Sequence, residues 1–157
     1  MSENIQEILQ KGLEDIAIDA RKLPWYSENP WKTNTHIWIE KEMPVIDLHA
    51  TNVKLTQKIL KLSVRLAEKH EFSSLCFITG IGINSIGDAT LKNVVLKHLG
   101  EIAIEKQWGF HPLGPGRFVV IIDPDRAPPI ATGQLPKMFW YGVGGFILLF
   151  FYVLIFR

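Results

Sequence analysis

Apolar and polar positions follow three rhythms along this chain, and each predicts a different kind of element. Near the N-terminus, Ile5, Ile8, Leu9, Leu13, Ile16, Ala17 and Ala20 recur at the spacing of one helix face. Asn4, with Glu7 three residues on, suits the cap of that amphipathic helix, and Pro24 ends it. Between residues 45 and 122 short apolar runs alternate with longer amphipathic stretches: strand Val45 to His49, helix Asn52 to His70, strand Leu75 to Thr79, helix Ile86 to Ala103. Two further strands, Gln107 to His111 and Phe118 to Ile122, flank the turn-rich Leu113-Gly-Pro-Gly116, as in a hairpin. The order βαβαββ predicts an α/β two-layer sandwich with a mixed, four-stranded sheet, its parallel strands directing their following loops to one edge. The connector Trp25 to Trp38 is aromatic and contains Pro30, and a short strand is expected at its end in HIWIE.

The third rhythm has no polar beat. Met138 to Phe156 carries no charged side chain, while Lys137 and Arg157 bracket it. At about 1.5 Å per residue this segment reaches roughly 28 Å, which predicts one C-terminal transmembrane helix. Trp140, Tyr141 and Tyr152 stand near its ends, where aromatic rings favour the headgroup level. A buried core helix is the plainer alternative, but such helices usually carry polar residues on some turn. The proline-rich stretch between Asp123 and Met138 has linker composition. The chain therefore divides into an N-terminal helix and connector (1–42), a domain (43–123), a linker (124–137) and a span (138–156).

Charge narrows the function classes. The net charge of +1 gives no bulk attraction to nucleic acid, so a nucleic-acid site requires local clustering. The N-terminal helix holds Glu3, Glu7, Glu14, Asp15 and Asp19 against Lys11, Arg21 and Lys22, which suits neither an export leader nor a helix lying on an anionic membrane. The body is expected in the cytosol, joined to a lipid bilayer through Met138 to Phe156. Cys76 is the only cysteine and lies in an apolar run, so it reads as a small buried hydrophobe, without a disulfide framework.

Three groups of residues are candidates for chemistry. Asp47 and His49 end the first strand two residues apart, which places both side chains on the same side of it. A carboxylate beside an imidazole fixes its tautomer for general acid or base work; the plainer alternative is a capping Asp and a half-exposed His. Thr79-Gly-Ile-Gly-Ile-Asn-Ser85 links the second strand to its helix, and its backbone N–H groups suit a phosphate, with Ser85 capping the helix or bonding the same anion. GxGxxG and GK[ST] are both unsatisfied there, which argues against a dinucleotide or lysine-based nucleotide loop. Lys54, Lys58, Lys61, Arg65 and Lys69 share one stripe of the first domain helix. The stripe suits a phosphate backbone, and equally the solvated face of an amphipathic helix.

The ordered blocks VIDLHA, CFITGIGINSIGDATLKNVVLKHL and WGFHPLGPGRFVVIID together resemble the Smr domain, the small MutS-related domain, over residues 43 to 123. That family usually shows DLHG and then TGKGxHS followed by LK or LR. Asp47, Leu48, His49, Thr79, Gly80, Gly82, Ser85, Leu91 and Lys92 match, while Ala50 stands for glycine, Ile81 for lysine and Asn84 for histidine. The resemblance implies a fold like the C-terminal domain of translation initiation factor three and endonuclease activity on nucleic acid, RNA more than DNA, with the ribosome as a possible partner. It implies Asp47 and His49 as the catalytic pair, His49 moving the proton and Asp47 orienting it, and Gly80, Gly82 and Ser85, with Thr79, at the phosphate. Lys92 or Arg117 is the candidate cation at the transition state. No cofactor is specified, and one Asp with one His are too few ligands for a protein-built metal site. The altered glycine loop keeps a second class open, a non-catalytic nucleic-acid- or ribosome-binding module. A scaffold using the N-terminal helix and Trp-rich connector is a third.

This division of the chain has a direct test. A form ending at Lys137 should stay soluble and folded without detergent, because a proline-rich linker carries few contacts. Aggregation of that form in detergent-free buffer would place the domain boundary elsewhere.

Overall fold

A computed structural model describes residues 4–22, 30–80 and 90–129. The expectations for Pro24, Ile81, Gly82, Asn84, Ser85 and the span 138–156 lie outside these residues. Among the described residues, no helix is long and apolar enough to cross a membrane.

The chain is mixed α/β. Its elements run α1 (Ile5–Gly12), α2 (Glu14–Ala20), α3 (Thr33–His36), β1 (Ile37–Glu40), β2 (Met43–Asp47), α4 (Val53–Lys69), β3 (Ser74–Ile78), α5 (Thr90–Lys106), β4 (Gly109–Gly114) and β5 (Arg117–Ile121). The sheet has five strands in the order β1-β2-β3-β5-β4, which corrects the four-stranded expectation. The additional strand is IWIE, which pairs antiparallel with β2 from Ile37 opposite Ile46 to Glu40 opposite Met43. Its four residues were legible as a strand, but joining a sheet is a long-range choice that local alternation does not encode. β2 and β3 are parallel around α4, β5 lies antiparallel to β3, and β4 forms the far edge.

Strand composition follows position in the sheet. The inner strands β2, β3 and β5 are buried along nearly their whole length, whereas β4 at the edge is half-buried or exposed throughout. Pro112 is tolerated there because an edge strand needs fewer amide donors, and the β4–β5 register shifts between Pro112 and Gly114. One face of the sheet carries Ile46, Phe77, Phe118 and Val120, which join Leu9, Ile59, Leu60, Val95 and Leu99 from the helices in the main core. The other carries a smaller cluster of Met43, Val45, Cys76, Val119 and Ile121, with Trp38, Leu113 and Ala127 packed against it.

Helix α4 forms where expected. Asn52 caps it by accepting the Leu55 amide at 2.8 Å, while Leu55, Ile59 and Ala67 make its buried stripe. The N-terminal helix is also present, capped by Asn4, which accepts from the Gln6 amide, but it breaks at Leu13 into α1 and α2. Its apolar face does not end outside the domain: Leu9, Leu13, Ile16, Ala17 and Ala20 belong to the main core. Polar contacts fasten the same segment, Thr33 donating to Glu14 at 2.7 Å and Gln10 to the Ile37 carbonyl at 3.3 Å.

Trp31 completes the attachment. Its ring is fully buried and its indole N–H donates to the Asp47 carbonyl at 2.6 Å. Trp31→Phe keeps an aromatic ring but leaves that carbonyl short of a donor, so it should lower the unfolding free energy by about 1–3 kcal/mol in urea titrations. An unchanged midpoint would show that the indole N–H is not needed at the end of β2.

Candidate active site

The site forms where β2 ends. Asp47 is the last residue of the strand and pairs with Ile78, and Leu48 extends the ladder by donating to the Ile78 carbonyl at 2.7 Å. The chain then reverses. The Asp47 carboxylate accepts the His49 amide at 2.8 Å, and Thr51 closes the turn by donating its amide and hydroxyl to the Leu48 carbonyl. The Asp47–His49 association was expected from strand alternation; the structure corrects the reason, since His49 lies beyond the strand and an Asx-type turn aims its ring back. Asp47 Oδ1 also bonds His49 Nδ1. The carboxylate side chain is 22% exposed and the imidazole 54%, so the pair is open to solvent.

An ionised carboxylate only accepts, so Nδ1 is the donor in this bond, and in the neutral ring Nε2 then carries the lone pair. Nε2 lies against Gly80: a Cβ at that position would sit 2.5 Å from it. Gly80 has φ +76°, open to glycine and strained for other residues. Behind it stands the β4–β5 hairpin, where Gly116 at φ +80° comes so close that a Cβ would lie 2.2 Å from the Gly80 carbonyl oxygen. The Thr79 amide donates to the Gly116 carbonyl at 2.8 Å, and its buried hydroxyl faces the Gly116 and Gly80 carbonyls. Thr79 thus ties the hairpin to the glycine loop.

Ala50, the residue after His49, has φ +60°. This left-handed conformation is one that glycine enters freely and alanine does not. The position therefore favours the glycine that DLHG motifs carry.

The remaining candidates are distributed around this edge. Lys92 lies in the first turn of α5, and Gly82 and Ser85 lie outside the described residues. Arg117 begins β5 opposite Ile78, and its guanidinium pairs with Glu40 at 2.8 Å. Hydrogen bonding to Glu40 raises the Arg117 pKa, and burial raises that of the neighbouring Cys76 thiol, which therefore stays protonated. Lys54, Lys58, Lys61, Arg65 and Lys69 are all exposed on α4. Lys58 pairs with Asp19 of α2 at 3.2 Å, whereas the other four make no ion pair among the described residues. Lys22 first, and then Lys58, hold the Asp19 carboxyl below its usual pKa. Among the described residues, no group of three His, Cys, Asp or Glu side chains is placed to hold a metal ion.

Sequence reasoning missed Trp31 and Gly116. The first looked like part of a connector and the second like one residue of a tight turn; their partners, the Asp47 carbonyl and Gly80, are distant in sequence. No family model matches the chain, and neither a curated protein nor a solved structure matches it.

Two backbone positions test this geometry with opposite signs. Ala50→Gly should raise the unfolding free energy by about 1 kcal/mol, relief of left-handed strain outweighing the added freedom of the unfolded chain. Gly80→Ala should lower it by about 1–2 kcal/mol and displace the His49 ring, seen as a shift of its imidazole NMR signals. Equal and small effects at both positions would contradict the backbone conformations described.

Proposed function

We propose that this chain is a membrane-tethered endonuclease of the Smr type that acts on RNA. The observation that carries this reading is the Asp47–His49 pair with its Nε2 against Gly80, the residue that begins the glycine-containing segment whose sequence suits a phosphate. On this reading His49 Nε2 takes the proton from the attacking hydroxyl as that oxygen closes on phosphorus; the bond from phosphorus to the leaving oxygen breaks, and the imidazolium returns the proton to that oxygen. Asp47 holds the ring in the required tautomer and stabilises the imidazolium that forms. The backbone N–H groups that begin at Gly80 receive the phosphate oxygens, and Lys92 balances the charge that develops.

Local geometry supports the resemblance that suggested the activity. Glycine-favouring conformations fall at Ala50, where the family has the glycine of DLHG, and at Gly80, the first glycine of its second motif. The alternating βαβα core and closing hairpin agree with that fold at the level of element order. Met138 to Phe156 anchors the chain in the bilayer and keeps the domain on the cytosolic side, where messages and ribosomes are found. A non-catalytic RNA- or ribosome-binding module is the second reading, favoured by one observation: Arg117 is committed to Glu40, leaving the altered loop with fewer cations.

Cleavage and binding of labelled RNA by the full chain in mild detergent separate the two. Asp47→Asn and His49→Ala should each reduce cleavage by about 10²-fold or more. Affinity should change little, because neither residue brings net positive charge to the backbone. If affinity fell as steeply as cleavage, the pair would be contact residues; binding without cleavage by the unaltered chain would establish the second reading.

A further inference from the structure

Helices α4 and α5 pack side by side and leave between them a groove of about 280 Å³ lined by Gln57, Val94, Lys97, His98 and Glu101. Gln57 belongs to the basic stripe of α4: Lys54 stands one turn before it and Lys61 one turn after, both exposed and without an ion pair among the described residues. Lys97 supplies a cation from the opposite wall. His98 also lines the groove, and its Nε2 is shielded from solvent with no hydrogen-bond partner among the described residues. The α4 wall of the groove follows the Asp47–His49 turn along the chain, Gln57 standing eight residues after His49.

Glu101 makes this more than an anion site. A carboxylate among lysines repels phosphate, but it is a strong acceptor for a hydroxyl. RNA offers a hydroxyl beside every phosphate, at its ribose 2′ position, and DNA does not. We infer that the α4–α5 groove binds the sugar-phosphate backbone of RNA, with Lys61 and Lys97 at phosphates, Glu101 accepting a 2′-hydroxyl, and Gln57 and His98 completing the polar contacts. The inference rests on the nucleic-acid reading of the chain, and it names both the surface that recognises the substrate and the feature that selects RNA.

Fluorescence anisotropy with a short single-stranded RNA and its deoxy counterpart provides the test, using the full chain in mild detergent and a His49→Ala background so that cleavage does not enter. Replacing Lys61 and Lys97 together by Gln should weaken binding to both and reduce the slope of log affinity against log salt by about 0.7 per lost contact. Glu101→Gln should weaken RNA about tenfold, the loss of a hydrogen bond to a charged group, while DNA holds or improves. The His98 imidazole NMR signals should move on adding RNA and those of His70 should not, which reports on the groove even if a variant folds poorly. An unchanged salt slope in the lysine variant, or equal gains for RNA and DNA in Glu101→Gln, would overturn the inference. If the chain with His49 intact bound RNA through the groove without cleaving it, the endonuclease reading would fall and the groove would stand.

Discussion

Leu48 donates its amide to the Ile78 carbonyl one step past the last paired residues of β2 and β3, and the site depends on that step. It holds the end of β2 in register, so that the turn after Asp47 opens beside Thr79 and Gly80. A slip of one residue would turn Asp47 toward the helices and carry Ile46 and Leu48 out of the core. The apolar residues that alternate with the site residues therefore enforce its geometry: Ile46, Leu48 and Phe77 are all fully buried. Trp31 adds a second restraint to the same strand end from a segment that precedes the sheet.

Crowding sharpens what register begins. The His49 ring, the Gly80 backbone and the Gly116 backbone are stacked with no room for a side chain at either glycine. Such contact sets the His49 Nε2 against the Gly80 backbone while the Asp47 carboxylate holds the other side of the ring. It also makes the β4–β5 hairpin part of the site, although its tip contributes only backbone. Strain collects at the same place, since Ala50 holds a left-handed conformation immediately after the catalytic candidate.

Charge is used locally because the chain is nearly neutral as a whole. Several cations are taken up in structural pairs: Arg117 with Glu40, Lys106 with Glu68, Lys58 with Asp19. These pairs are partly or largely solvent-exposed and contribute little to stability individually. Their consequence is selective, since Lys54, Lys61, Arg65 and Lys69 form a positive face of α4 that makes no ion pair among the described residues. The absence of a bulk charge thus does not prevent a directed one.

By itself, the sequence determined the elements whose residues repeat locally. The helix α4, the strands around Ile46 and Phe77 and the hairpin at Gly114 to Gly116 all follow from periodicity and turn chemistry, as does the exposed lysine stripe. It also singled out Asp47, His49 and Gly80, since a carboxylate, an imidazole and a glycine at strand ends are chemically distinctive wherever they stand. Only the tertiary structure decided that IWIE joins the sheet as its edge, that the N-terminal helices belong to the core, that Arg117 turns to Glu40, and that Gly116 closes on Gly80. Each of these outcomes is a contact between segments far apart in the chain. Hydrophobic period and turn propensity report which face an element will bury, but not which partner will cover it; that choice is made by the packing of the whole core.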